Sequence, residues 1–526
     1  MNWDFPFPSQ RMPVLADHVV AASQPLAAQA GLAMMARGGN AVDAAIAAAA
    51  VLTVVEPVMN GLGGDTQVAL WDGAALRGLV GCGRSPRAWS TERFAGRARM
   101  PTEGWDSVTV PGGVSAWVEL ARHGAALPLR VLMEPAIRYA REGYAVSPNV
   151  ARLWASQVAR LRGQPGFAET FLSGGRAPLP GERVRLPELG ATLARIADSD
   201  GEDFYRGETA ERLAEHAREQ GGAMAAEDLA AHRAQWVEPL HMDYRDIRVH
   251  ELPPASQGMA VLIALGILRH FEMGPATAPD QRAHLQIEAM KMAFADVYAH
   301  VADPACMDCP AGWLLEPGYL ARRARELSPR RAAEYGARSL PGGGTVYLAA
   351  ADRDGRMVSL IQSNFQGFGS GVVVPGTGVS LNNRGAGFVL DPRHPNAVAG
   401  GKKPFHTIIP AMLSRAGRPL AALGVVGANM QPQGQLQIIC ALADLGLNPQ
   451  AALDMPRWRI DDSGQLRLEA AFDPAVAQAL ADRGHPVQRR AAYEHLDFGG
   501  AQLVMRTGAG HLGASEPRRD GLAAGF

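Results

Sequence analysis

In the stretch Pro341-Gly-Gly-Gly-Thr345-Val-Tyr-Leu-Ala-Ala-Ala-Asp-Arg-Asp-Gly355-Arg-Met-Val-Ser-Leu-Ile-Gln-Ser363-Asn364, a glycine run stops at one threonine. Residues 345–351 and 357–363 are runs of strand length rich in valine, leucine, isoleucine and tyrosine. Asp352-Arg-Asp-Gly355 between them has turn chemistry, so the segment reads as a β-hairpin opened by Thr345. A threonine freed at its amino side has a special use. Its α-amino group, with an ordinary pKa of about 7.7–8.0, sits beside its own hydroxyl and can activate it as a nucleophile. For the Gly344–Thr345 bond to break unaided, the hydroxyl must attack the Gly344 carbonyl from a backbone conformation that residues bearing Cβ resist. The same glycines also read as a plain flexible connection into a strand.

Outward from the hairpin, Asp352 opens the turn seven residues after Thr345, and the second strand leads into Phe368-Gly-Ser-Gly371, Pro375-Gly-Thr-Gly378 and Leu381-Asn-Asn383. Near the start stands Gly38-Gly-Asn-Ala-Val-Asp-Ala-Ala45, in the middle Glu288-Ala-Met-Lys-Met-Ala-Phe-Ala-Asp296, and at the end Gly513-Ala-Ser-Glu-Pro-Arg-Arg-Asp-Gly521. Together these motifs resemble the γ-glutamyltransferase family of N-terminal-nucleophile hydrolases over nearly the whole chain. The resemblance implies an α+β fold, the four-layer αββα sandwich. It also implies self-cleavage between Gly344 and Thr345 into a large subunit, residues 1–344, and a small one, residues 345–526, which stay together as one intertwined heterodimer. Residue patterns alone support a mixed α and β protein with a strand-rich C-terminal third.

The same resemblance implies site residues. Thr345 is the nucleophile, and Ser363, on the strand expected to pair with that of Thr345, is the expected hydrogen-bond partner for it. Gly427 and Ala428 stand where the family has two glycines whose N–H groups form the oxyanion hole, and a backbone donor survives replacement of glycine by alanine. His406 and Thr407 stand where it has two substrate-holding serines. Arg84, in Gly83-Arg84-Ser85-Pro86, matches an arginine that grips the substrate carboxylate, although a lone loop arginine also reads as a solvated surface charge.

Departures from the family pattern bear on the substrate. Glutamyl-transferring members hold the α-ammonium of the substrate with an aspartate where this chain has Gly387, and Arg384 replaces a glutamine beside it. An ammonium buried without a partner costs several kcal/mol, and a nearby cation adds to that cost. Arg384 suits a carboxylate instead, which its planar fork can bind with two hydrogen bonds. Asn364 lies one position earlier than the family asparagine, with Phe365 in its place, and such a shift sends a side chain to the other face of a strand. These changes resemble the branch holding oxamate amidohydrolases and some cephalosporin acylases, which open amides of carboxylate-bearing acyl groups. Two other readings stay open: a γ-glutamyltransferase or glutathione hydrolase, and an uncleaved, silent binding protein.

Composition fits a small-molecule enzyme. Across 526 residues no low-complexity linker divides the chain, 47% of residues are hydrophobic and 20% charged, and the net charge is -1. That balance gives no electrostatic reason to expect nucleic acid or an acidic membrane surface, so small neutral molecules and small ions are the natural partners, and the resemblance implies a small amide among them. The start lacks a basic segment followed by an apolar core, and the most apolar run, Ala44 to Val55, is too short to span a bilayer, so the expected location is cytoplasmic. No metal and no cofactor are expected: Cys306-Met-Asp-Cys309 lacks a second ligand pair, and the chain carries no phosphate loop or dinucleotide fingerprint.

Helices are expected over 22–37, with Ser23 as a cap, and over 41–54, with Asn40 as a cap. From Val110 to about residue 340 the chain reads as mostly helical, clearest at Ala116 to His123, Arg130 to Glu142 and Ala191 to Asp198. His284 and Glu288, one helical turn apart, read as a pair on a helix surface, and residues 388–405, with three prolines, as a long surface loop.

Overall fold

The hairpin forms where expected in the computed structural model, which describes residues 10–335, 343–490 and 497–526. Its strands are Gly344–Ala351 and Met357–Phe365. The Asp352 carboxylate fixes the turn by accepting the amides of Asp354 (3.0 Å) and Arg356 (3.1 Å). It also accepts the amide of Ala41 at 2.9 Å, in the first turn of the helix Ala41–Val55. One side chain thus ties the hairpin to the helix that covers it, where a carboxylate also meets the favourable end of the helix dipole.

The hairpin lies at the centre of a seven-stranded antiparallel sheet. Its order is Leu522–Gly525, Val19–Ala22, Gly344–Ala351, Met357–Phe365, Asp65–Trp71, Leu76–Gly81, Gln235–Val237. A second antiparallel sheet of seven runs Val14–Ala16, Gly510–Ser515, Gly500–Thr507, Arg418–Val426, Ala411–Arg415, Ile247–Glu251, Leu240–Tyr244. Each sheet combines strands from both sides of the Gly344–Thr345 bond.

The first hairpin strand reads Val-Tyr-Leu-Ala-Ala-Ala with no polar alternation because it is buried on both faces. Val346, Leu348 and Ala350 pack into the core shared with the helix Ala41–Val55. Tyr347, Ala349 and Ala351 point the other way, between the sheets, to meet Met412 and Ala422. The second sheet is covered in turn by the helices Gly258–Leu268 and Met430–Ala443, with Pro279–His300 outside them. The result is the αββα sandwich: helices, sheet, sheet, helices. The first covering helix, Ala41–Val55, is buried along its whole length and opens with a capping box between Asn40 and Asp43.

Some local expectations are corrected. The first helix is Pro25–Ala36, capped by Gln24 rather than Ser23, whose hydroxyl instead donates to Glu56 at 2.6 Å. The helical reading of 110–340 holds at Gly113–Gly124, Leu129–Glu142 and Pro187–Asp198, but residues 235–251 supply three strands, Gln235–Val237 at the edge of the first sheet and Leu240–Tyr244 and Ile247–Glu251 as the last two of the second. His284 and Glu288 are not on a surface. Both are fully buried, His284 against His485 (2.8 Å) and Glu288 against Lys291 (2.8 Å) and Tyr335 (2.9 Å). The 388–405 loop is packed rather than superficial at Phe388 and Val398, which join Trp89 and Phe94 in a small apolar cluster. No helix among the described residues is long and apolar enough to cross a membrane.

Candidate active site

Thr345 has the strand parity of Tyr347, so its side chain enters the space between the sheets. Opposite it the second strand carries an extra residue: Gly344 pairs with Phe365 and Val346 with Gln362, leaving Thr345 facing both Ser363 and Asn364. Such a bulge re-aims side chains. It turns Ser363 toward Thr345 and forces Phe365 to φ +78°, a region costly for any residue with a Cβ.

The Gly344 carbonyl is the focus of this arrangement. It accepts from the Thr345 hydroxyl at 2.7 Å and from the Ser363 hydroxyl at 2.5 Å. Ser363 Oγ in turn accepts from the Phe365 amide (2.7 Å) and from Arg384 (3.3 Å), while Thr345 Oγ1 accepts from Gln431 Nε2 at 3.3 Å. Two hydroxyl protons therefore converge on one carbonyl, and every hydroxyl lone pair in use has a named donor.

Behind Ser363 lies Arg384, with no exposed surface. It donates to Thr407 Oγ1 at 2.8 Å, stacks on the Phe365 ring at 4.5 Å, and holds its Nε 3.7 Å from Asp65 Oδ2. Burial lowers the guanidinium pKa to about 10, with Asp65 opposing the shift, so it stays a cation at neutral pH. His406 meets the same Asp65 oxygen at 2.9 Å. Burial first, and then the Arg384 charge, push the imidazole down to about 4, so it is neutral and its Nε2–H donates to Asp65. Asp65, Cys82 and His406 place their ligand atoms within 4.8 Å of one another, a spacing compatible with a metal, but Arg384 already supplies the positive charge beside Asp65.

Gly427 and Ala428 follow the strand Arg418–Val426 of the opposite sheet and precede the helix Met430–Ala443. Both have positive φ, +115° and +49°, which aims their N–H groups away from the regular ladder at the positive end of a helix dipole. Neither amide donates to a backbone carbonyl among the described residues. Gln257 Nε2 braces the turn by donating to the carbonyls of Ala428 (2.9 Å) and Thr407 (2.5 Å).

Two of the residues singled out from sequence lie elsewhere. Arg84 is half-exposed and bound to Asp303 (2.7 Å) and to the Gly401 carbonyl (3.0 Å), not to the Thr345 cluster. Asn364 faces the glycine loop before Asp65, donating to Ser380 Oγ at 3.2 Å. A Cβ on Gly64 would come within 2.5 Å of Asn364 Oδ1, which explains the glycine there. Conversely, Asp65 and Gln431 belong to the cluster and were not anticipated. Their signals were an acidic residue closing Gly61-Leu-Gly-Gly-Asp65 and a glutamine in the first turn of an otherwise buried helix.

A cavity of about 720 Å³ opens outward from this point, with Gly343, Gly344, Gly427, Val58 and Met59 in its lining. Such a volume is ordinary for a small-molecule site.

The gamma-glutamyltranspeptidase family model matches residues 27–526. The chain is 37% identical over 515 residues to the glutathione hydrolase-like YwrD proenzyme of Bacillus subtilis, covering 95% of this chain and 97% of that one. It is 38% identical over 518 residues to the oxamate amidohydrolase proenzyme of Klebsiella pneumoniae, with the same coverage of each. The solved cephalosporin acylase of Bacillus halodurans superposes with a TM-score of 0.95 at 44% identity, covering 100% of this chain and 99% of that one. With matches of this length bearing on the same sandwich, this chain is a member of the gamma-glutamyltranspeptidase family of amide-hydrolysing and acyl-transferring enzymes.

Proposed function

We propose that the chain is a self-processing amidohydrolase with Thr345 as its nucleophile, acting on small amides whose acyl group bears a carboxylate, oxamate-like acyl groups first. The observation that carries this reading is the Gly344 carbonyl held by the hydroxyls of Thr345 and Ser363, with Arg384 one hydrogen bond behind Ser363.

In the first step Thr345 Oγ1 attacks the Gly344 carbonyl carbon, forming an ester as the C–N bond breaks and the Thr345 nitrogen takes the proton. Water then cleaves the ester, leaving Gly344 with a carboxylate and Thr345 with a free amine. Two sheets that each contain strands of both segments hold residues 1–344 and 345–526 together as a heterodimer afterwards, and the YwrD and oxamate amidohydrolase relatives are themselves named as proenzymes.

In turnover the same hydroxyl attacks the substrate carbonyl, the Thr345 amine takes its proton and passes it to the departing amine, and water releases the acyl group. The Gly427 and Ala428 N–H groups receive the oxyanion. Arg384 takes the acyl carboxylate, with Ser363 and Thr407 beside it. We assign Arg84 a structural role with Asp303 instead. Steps of 3.4 Å from Thr345 Oγ1 to Ser363 Oγ and 3.3 Å onward to Arg384 suit a carboxylate close to the scissile carbonyl. Gly387 leaves the α-ammonium of a γ-glutamyl donor without its acidic partner, which disfavours glutathione.

N-terminal sequencing of the smaller band from purified protein tests the nucleophile: a start other than Thr345 sinks it, and one stable full-length band favours a silent binding protein. Comparing kcat/KM for oxamate, a glutaryl anilide and a γ-glutamyl anilide tests the acyl group. A tenfold advantage for the γ-glutamyl compound, about 1.4 kcal/mol in transition-state binding, would overturn it.

A further inference from the structure

The cavity that reaches Gly344 is far larger than an oxamate ion requires, and its charge is uneven. Its lining holds five arginines against three aspartates. On one wall, from the strand Trp458–Ile460 onward, charge is largely matched within the protein. Arg467 pairs with Asp461 (2.7 Å) and Asp497 (3.3 Å), and Arg459 donates to the Asp497 carbonyl (2.9 Å).

The facing wall differs. Arg99 is exposed and has neither hydrogen bond nor ion pair among the described residues. Arg160, on the helix Pro148–Leu161, uses Nη2 to hold the Gly367 carbonyl at 2.6 Å, and its Nη1 is ion-paired with Glu103 at 3.7 Å but makes no hydrogen bond. Gln157, Thr102 and Gln366 complete this wall and can add neutral hydrogen bonds.

We propose that this wall is the subsite for the amine half of the substrate and that it takes an anionic amine. Resting on the acyl reading above, the substrate class becomes oxalyl amides of amino acids: one carboxylate on Arg384 beside the scissile carbonyl, a second on Arg99 and Arg160. The geometry of the reaction demands that the two halves lie on opposite sides of the attacked carbon. Arg384 is enclosed behind Ser363, whereas Arg99 and Arg160 line the cavity that reaches Gly344 from solvent. The surplus positive charge also draws a dianionic substrate toward the opening, an effect that salt screens. The products are an oxalate ion and a free amino acid. Water supplies the oxygen and the proton, so no further reactant is needed.

The test uses processed enzyme and two oxalyl amides that differ in charge at the amine: N-oxalylglycine and N-methyloxamate. The expected result is a kcat/KM at least tenfold higher for N-oxalylglycine, expressed mainly in KM and shrinking between 0.02 and 0.5 M salt, on the order of the screening range. Arg99→Glu should bring that ratio close to one, and Arg160→Gln should lower it. Equal kcat/KM for the two amides, or a ratio unmoved by Arg99→Glu, overturns the subsite while leaving the acyl reading intact. If processed enzyme turns over a glutaryl anilide but neither oxalyl amide, the acyl reading falls and this substrate class falls with it.

Discussion

Ser363 Oγ donates to the Gly344 carbonyl oxygen at 2.5 Å, the carbonyl that the neighbouring Thr345 hydroxyl also contacts. A donor already in place on that oxygen stabilises the charge that grows there when the carbonyl is attacked. Ser363→Ala should therefore slow self-cleavage by about 10²-fold, the usual cost of one such donor, without unfolding the chain. A gel time course on freshly purified precursor reads this directly. Thr345→Ala should remain one chain without activity and Thr345→Ser should still process. Processing of Ser363→Ala at the native rate would remove Ser363 from the step.

Arg384 and Asp65 are both fully buried and 3.7 Å apart, so each is the main compensation for the other. Arg384→Gln leaves the Asp65 carboxylate with the His406 and Gly83 hydrogen bonds alone. Breaking a buried pair on one side costs about 3–5 kcal/mol, whereas removing both charges is far less damaging. The single variant should lose stability and substrate binding together. The double variant Asp65→Asn with Arg384→Gln should regain much of the stability and none of the binding. Urea unfolding and kcat/KM for oxamate, measured on all four proteins, separate the two effects. A double variant as unstable as the single one would show that the pair is not coupled.

What could be read in advance follows from the range of the interactions. The hairpin was legible because each strand is a local run and Asp352 tethers its own turn; the same locality made Asn40 readable as a cap. Ser363 could be placed beside Thr345 because the two strands of the hairpin pair locally, and Arg384 stood out as a departure from the family pattern. Asp65 was not, because its partner His406 lies 341 residues away, and nothing local distinguishes a buried counter-ion from a turn acid. The contact of Arg84 was hidden for the same reason: Asp303, which holds it, is 219 residues distant. His284 and Glu288 look like one polar helix face until His485 and Tyr335 arrive from other segments to bury them.

Ala428 tests the proposed oxyanion role of its turn from another direction. Its φ of +49° is a conformation that glycine adopts freely and alanine does not. Ala428→Gly should keep the backbone donor and relieve strain of about 1 kcal/mol, offset in part by the greater freedom of the unfolded chain. Activity should stay within severalfold of the parent. Ala428→Val, β-branched at the same φ, should lose activity by tenfold or more. If Val is tolerated as well as Gly, the turn is not held as the mechanism requires. The check is kcat/KM on processed protein, with circular dichroism to confirm the fold.

Glu56 gives a pH signature to the whole sandwich. It closes the helix Ala41–Val55, fully enclosed, and accepts the Ser23 hydroxyl at 2.6 Å. Burial raises its carboxyl from an ordinary 4.5 to about 8; Ser23 and Arg519 pull it down, and Asp520 pushes it further up. In the folded chain the proton is therefore kept to about pH 8, while the unfolded chain releases it near 4.5. Between those values the folded state binds more protons, so this group's contribution is full below pH 4.5 and is lost as pH rises toward 8. Glu56→Gln keeps an uncharged acceptor for Ser23 and removes the titration. Measured in the Thr345→Ala background, so that subunit dissociation does not enter, the parent should lose stability relative to Glu56→Gln between pH 5 and 8, by several kcal/mol on the order set by linkage. A difference between the two proteins that stays constant over that range would mean that Glu56 is already ionised in the folded state, with the nearby Arg519 charge outweighing its burial.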